Sequence, residues 1–205
     1  LEDFDRDGDL DVVVANSGGC NCISFLRNRG DGVFLPRVNY SMSGSPRTVV
    51  AADWDGDGNS DIGVGRMSGG AFMAVLLNKG NGTFHAPVLY AAGSTAGACA
   101  ADLNRDGRPD FVFAGSGGAG VLRNLGRNEQ GVWQGFAARQ YFAAGNSPLD
   151  VGSADFNADG WADVAAAYSA LVESQLDLEA VKPLVRDCIG QETNRDLIVA
   201  KLLIA

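Results

Sequence analysis

Short apolar runs separated by glycine-rich polar segments fill the first 170 residues. Val12-Val13-Val14, Ile62-Gly63-Val64, Phe111-Val112-Phe113 and Val164-Ala165-Ala166 each follow an acidic segment, and each reads as the start of a strand. In the second unit, strands are predicted near 47–52, 62–66, 72–77 and 84–90. Asn/Gly-rich turns of the kind found in antiparallel hairpins join the later strands. Of the 28 glycines, 27 lie before residue 171, which argues against a helical repeat.

The acidic segments share one grammar: Asp, any residue, Asp or Asn, any residue, Asp, Gly, two residues, Asp. The copies are Asp3-Phe4-Asp5-Arg6-Asp7-Gly8-Asp9-Leu10-Asp11 and Asp53-Trp54-Asp55-Gly56-Asp57-Gly58-Asn59-Ser60-Asp61, then Asp102-Leu103-Asn104-Arg105-Asp106-Gly107-Arg108-Pro109-Asp110 and Asp155-Phe156-Asn157-Ala158-Asp159-Gly160-Trp161-Ala162-Asp163. Calcium takes six to eight oxygens at roughly 2.3–2.6 Å from a flexible acidic loop. Side chains at positions 1, 3, 5 and 9 can supply them if the chain coils around the ion, and glycine at position 6 permits the sharp turn. An Asp/Gly-rich β-turn would explain one isolated copy; four copies in phase point to metal.

An EF-hand loop opens the same way but needs a bidentate Glu at position 12. Here that position holds Val14, Val64, Phe113 and Ala166, so each loop leads into a strand and not a helix. The first two loops carry Asp at all four side-chain positions, whereas Asn104 and Asn157 stand at position 3 of the others. With fewer negative ligands, the last two sites are expected to bind calcium more weakly.

First ligands Asp3, Asp53, Asp102 and Asp155 are spaced by 50, 49 and 53 residues, a period that marks a repeat array. A second landmark recurs in phase: Asn28-Arg29-Gly30-Asp31-Gly32-Val33-Phe34 matches Asn78-Lys79-Gly80-Asn81-Gly82-Thr83-Phe84. A looser third copy runs from Asn124-Leu125-Gly126 through an insertion to Gly131-Val132-Trp133. Four antiparallel strands per repeat of this length make a propeller blade.

On these loops and turns the chain resembles the FG-GAP/VCBS repeats of integrin α-subunit propellers and many bacterial secreted proteins, over residues 1–170. The resemblance implies that each Asp loop joins the first two strands of a blade and binds calcium, with up to four sites. It also implies that Asp9, Asn59, Arg108 and Trp161 supply backbone carbonyls at position 7. The expected fold is all-β, a partial propeller with three, four, four and two strands in successive blades. That arc is too short to close and is expected to be a fragment of a longer chain. Open blade edges would invite self-association.

From residue 171 the composition changes: 171–205 contains one glycine and no aromatic residue. A short helical appendage is expected, kinked at Pro183 and capped by Thr193-Asn194-Arg195-Asp196 before an apolar stretch, 197–204, far too short to span a membrane. This tail is a second candidate for self-association.

Composition narrows the function. The formal net charge is −9, and fourteen of the 25 acidic residues occupy side-chain ligand positions, so four calcium ions would leave about −1. The 16 Lys and Arg residues are scattered, which gives nucleic-acid binding no support. Cys20, Cys22, Cys99 and Cys188 do not form a disulfide framework, and their pairing is open.

Arg29-Gly30-Asp31 spells an adhesion tripeptide but lies inside the repeated turn, where Lys79-Gly80-Asn81 does the same job. Asn39-Tyr40-Ser41 and Asn81-Gly82-Thr83 are glycosylation sequons. His85, the sole histidine, reads as a surface residue, and no nucleophile–base–acid set assembles around it. Trp54 and Trp161 are expected to pack between blades.

The resulting expectation is a non-enzymatic, extracellular calcium-binding scaffold for adhesion or ligand binding, its partner a protein or a carbohydrate. The alternatives are a lectin-type module or the non-catalytic propeller part of a polysaccharide-degrading enzyme.

Overall fold

The computed structural model describes residues 1–67, 73–144 and 148–167. Four antiparallel sheets follow one another along the chain. The first holds β1 (Val12–Asn16), β2 (Cys22–Leu26) and β3 (Val38–Ser41). The second holds β4 (Pro46–Ala52), β5 (Asp61–Arg66), β6 (Met73–Leu76) and β7 (Val88–Tyr90). The third holds β8 (Ala98–Ala101), β9 (Asp110–Gly115), β10 (Gly118–Leu122) and β11 (Gln140–Phe142), and the fourth β12 (Asp150–Ala154) and β13 (Asp163–Ala167). Each sheet is a meander with neighbours in sequence order. The fold is a partial all-β propeller with, among the described residues, three, four, four and two strands per blade, as the repeat predicts.

Innermost strands of successive blades lie side by side, β4 against β8 and β8 against β12. Glu2 bridges Asp11 in the first blade as Ala52 pairs with Asp61 in the second. The helical appendage expected over 171–205 lies outside the described residues.

The cores sit between the blades, where the facing sides of neighbouring sheets stack on each other. Between the first two blades Phe4, Phe25 and Tyr40 meet Phe84 edge-on, with ring centroids 5.4–5.5 Å from it. Between the second and third, Trp54 packs on Phe111 and Phe136. Between the third and fourth, smaller residues such as Val112, Ala119, Val151 and Val164 do the filling.

Two details differ from the sequence expectation, and a third settles a pairing that the sequence left open. The fourth strand of the second blade begins at Val88, not Phe84, because Pro87 has no N–H to pair; Phe84 makes only an isolated bridge with Asn78. In the third blade, the residue matching Phe34 and Phe84 is Phe136, which bridges Asn124, while Trp133 bridges Arg127. The insertion there forms its own small turn, which displaces the aromatic landmark by three residues. Cys20 and Cys22 are paired, their Cα atoms 5.2 Å apart across the turn between β1 and β2, and Cys99 is free and half-buried.

Candidate metal centre

All four Asp loops coil around their first carboxylate. Asp3 accepts from the N–H groups of Asp7 (3.2 Å) and Gly8 (3.0 Å), and Asp53 from those of Asp57 (3.1 Å) and Gly58 (2.8 Å). Asp102 does so from Asp106 (3.1 Å) and Gly107 (2.8 Å), and Asp155 from Asp159 (3.1 Å) and Gly160 (2.7 Å). The glycine at position 6 has φ between 79 and 95° in every copy, a conformation that a side chain would strain. At position 3, Asp55 Oδ1, Asn104 Oδ1 and Asn157 Oδ1 accept the position-5 N–H. At position 5, Asp7, Asp57, Asp106 and Asp159 accept the N–H of Asp9, Asn59, Arg108 and Trp161. These bonds pre-form the coil that a cation would need.

The position-9 aspartates have a second task. Asp11, Asp61, Asp110 and Asp163 are buried. In each, Oδ2 accepts the N–H of loop residue 2, from Phe4, Trp54, Leu103 or Phe156. In the first three blades Oδ1 also accepts the N–H of the landmark asparagine: Asn28 (2.8 Å), Asn78 (2.7 Å) and Asn124 (2.8 Å). The two sequence landmarks are therefore one structure. They touch again where position-7 side chains Asp9, Asn59 and Arg108 lie against Gly30, Gly80 and Gly126, so that a Cβ there would push the side chain aside.

The landmark asparagines Asn78 and Asn124, which sequence reasoning left as turn formers, also join one blade to the next. Asn78 Nδ2 donates to Phe4 O in the preceding loop (2.8 Å) and to Ser60 O in its own (3.0 Å). Asn124 Nδ2 repeats this with Trp54 O (2.8 Å) and Pro109 O (3.1 Å). Their recurrence in phase with the Asp loops was the available signal; the inter-blade reach was not in the sequence.

One carboxylate oxygen from each of Asp3, Asp5 and Asp11 lies within 4.8 Å of the others, and Asp53, Asp55 and Asp61 converge in the same way. Positions 1, 3 and 9 thus gather into two clusters that can hold a metal ion. In the third and fourth loops Asn104 and Asn157 bring a neutral amide to position 3 and bond to Asp106 (2.8 Å) and Asp159 (3.1 Å).

The donor set fits a hard cation, since it is all oxygen. Asp5 Oδ1 and Asn59 Oδ1 are buried without a hydrogen-bond partner among the described residues. Burial pushes the Asp61 carboxyl up to about 7, and the charges of Asp55 and Asp57 add to it against the two backbone N–H bonds. Burial likewise raises Asp11, Asp55 and Asp110. These are carboxylates whose charge is opposed by their surroundings, the condition a bound cation relieves.

The aromatic residues of the loops divide. Trp54, at position 2, is buried between blades as expected. Trp161 is not: at position 7 its side chain faces outward, 39% exposed, with the Arg105 guanidinium 4.0 Å from its ring centre. Arg29 and Asp31 pair with each other at 3.2 Å across Gly30, so that tripeptide serves the turn.

Coiled acidic loops on propeller blades define a class of ligand-binding β-propeller scaffolds with candidate metal sites. The FG-GAP-like repeat matches residues 3–64, 67–113 and 102–166, and the chain belongs to that family. No curated protein sequence matches it. A similar solved structure is that of an Agrocybe aegerita lectin, described as specifically recognising non-reducing terminal N-acetylglucosamine. It is 25% identical over 77% of this chain and has a TM-score of 0.47. This chain spans 43% of that one. The fold assignment rests on the strands and the repeats, not on that likeness.

Proposed function

We propose that this chain is a calcium-stabilised propeller segment of an extracellular protein, serving as a non-catalytic scaffold for adhesion or ligand binding. The observation that carries the reading is the convergence of Asp3, Asp5 and Asp11, and of Asp53, Asp55 and Asp61, around points their own charges oppose. Calcium, when bound, would supply the positive charge that lets these carboxylates stay together. The residues that would hold it are the aspartates and asparagines at positions 1, 3, 5 and 9, with the position-7 carbonyls.

The role is structural because the loops tie blade to blade. Position 9 fixes the landmark asparagine, and that asparagine clasps the preceding loop. Ordering a loop therefore orders an inter-blade joint. The Cys20–Cys22 disulfide supports an oxidising compartment, where calcium is also abundant. His85 is exposed, as expected of a surface residue. The ligand is a protein or a carbohydrate.

A thermal melt tests this directly. A ligand at a hundredfold its Kd adds about 2.7 kcal/mol per site to the folded state. For a chain of this size that raises Tm by roughly 5–10 °C for each filled site relative to EDTA. A melt that is the same in calcium and in EDTA would refute the proposal.

A further inference from the structure

We infer that the cleft between the second and third blades is a binding site for a carboxylate group. Its position follows from one residue of the repeat. At position 4 the loops carry Arg6, Gly56, Arg105 and Ala158, all with φ between 57 and 72°. Arg6 reaches the next blade and donates to Gly58 O; Arg105 reaches the next blade and donates to Asp159 O at 3.2 Å. These two arginines close the seams between blades one and two and between blades three and four. Gly56 has no side chain to do this, and a cleft of about 450 Å³ opens at that seam.

The chemistry of the cleft is donor-rich. Arg108 and Arg127 line the third-blade wall, facing Asp53 and Asp55 on the second. Arg108 Nε is buried without an acceptor among the described residues, and so is Nε1 of Trp54, which also lines the cleft. Arg127 spans the opening, bonded to Asp55 O and paired with its carboxylate at 3.0 Å. Arg127 Nη1 also donates to Gly131 O at 2.8 Å, so all three of its nitrogens are engaged, and Arg108 Nη2 is paired with Asp106. The unused donors of the cleft are therefore Arg108 Nε and Trp54 Nε1, two N–H groups that suit the oxygens of a carboxylate. Asp53 and Asp55 are the groups that oppose it. Resting on the calcium reading, the inference holds that an ion in the second loop cancels the charge of Asp53 and Asp55, one in the third cancels that of Asp106, and the arginine charge is left for the ligand.

The carboxylate can belong to an acidic side chain or to an acidic sugar, and the test separates these sources. Calorimetry in calcium would compare N-acetyl-aspartate N-methylamide with the asparagine analogue, and methyl glucuronoside with methyl glucoside. The expected result is binding of at least one acid roughly tenfold or more above its neutral analogue, in line with a charge-assisted hydrogen bond. Arg108→Gln and Arg127→Gln should each reduce it by roughly tenfold. Gly56→Arg should abolish it while the chain remains folded by circular dichroism, because arginine already occupies this conformation at Arg6 and Arg105. Equal binding of acids and neutral analogues, no binding of either acid, or full binding by Gly56→Arg would overturn the inference. Calcium uptake measured on the same sample is a separate reading. A chain that takes up calcium but neither acid loses the cleft and keeps the scaffold. A chain that takes up no calcium loses the scaffold, and arginine-dependent acid binding would then support the donors of the cleft and overturn the ion's part in it.

Discussion

Asp61 carries two demands on one carboxylate. Its oxygens hold the N–H groups of Trp54 and Asn78, and its charge faces Asp55 and Asp57. In the folded chain its pKa is about 7, against about 3.9 for an unfolded aspartate. A folded value above the unfolded one means that the fold prefers the neutral acid. The stabilising contribution is complete below about pH 4 and is lost as pH rises through about 7. Asp11, Asp55 and Asp110 are shifted in the same direction. In EDTA, the melting temperature should therefore be higher at pH 5 than at pH 8, and calcium should raise the pH 8 value more. A chelated chain that melts higher at pH 8 would contradict this account of the loop charges.

Loop and turn act as a single element. Asn78 satisfies its own loop through Ser60 O, the preceding loop through Phe4 O, and its own turn by accepting from Gly80 N–H at 3.0 Å. Asn78→Ala removes all three bonds from a buried position and should destabilise the chain by about 2–4 kcal/mol in urea unfolding. Asn28 is the control, because its half-buried amide donates to Leu10 O within its own blade and, among the described residues, reaches no preceding loop. Asn28→Ala should cost about 1 kcal/mol or less. Equal losses at the two positions would show that the inter-blade bond contributes nothing.

Across the whole molecule, the blades share a plan but not a ligand set. The first two loops gather three carboxylates each, while the last two carry an asparagine amide in place of one. A calcium titration should resolve tighter and weaker sites, because ligand charge tunes affinity. Asp53→Ala should remove a tight site and Asp155→Ala a weak one. Loss of the tightest site in Asp155→Ala would reverse that order. The seams differ as well: an arginine at loop position 4 bridges the first and third, whereas at the second Gly56 leaves a cleft that Arg127 spans from the third blade.

Much of this was legible in the chain itself. The motif fixed which residues coil, because Asp at positions 1, 5 and 9 and glycine at position 6 satisfy local geometry within nine residues. The period fixed the blade, and the strand count in each followed from the turns. Local chemistry repeated in phase is visible in one dimension. What tertiary structure decided was everything that crosses a seam. Asn78 bonds Phe4 O across 74 positions, Phe136 and not Trp133 fills the core beside Trp54, and Trp161 points outward where Trp54 points in. The cleft depends on Gly56 lying opposite Arg127, 71 residues later in the sequence. Those partners are set by how one twisted sheet stacks on the next, and no spacing along the chain encodes that stacking.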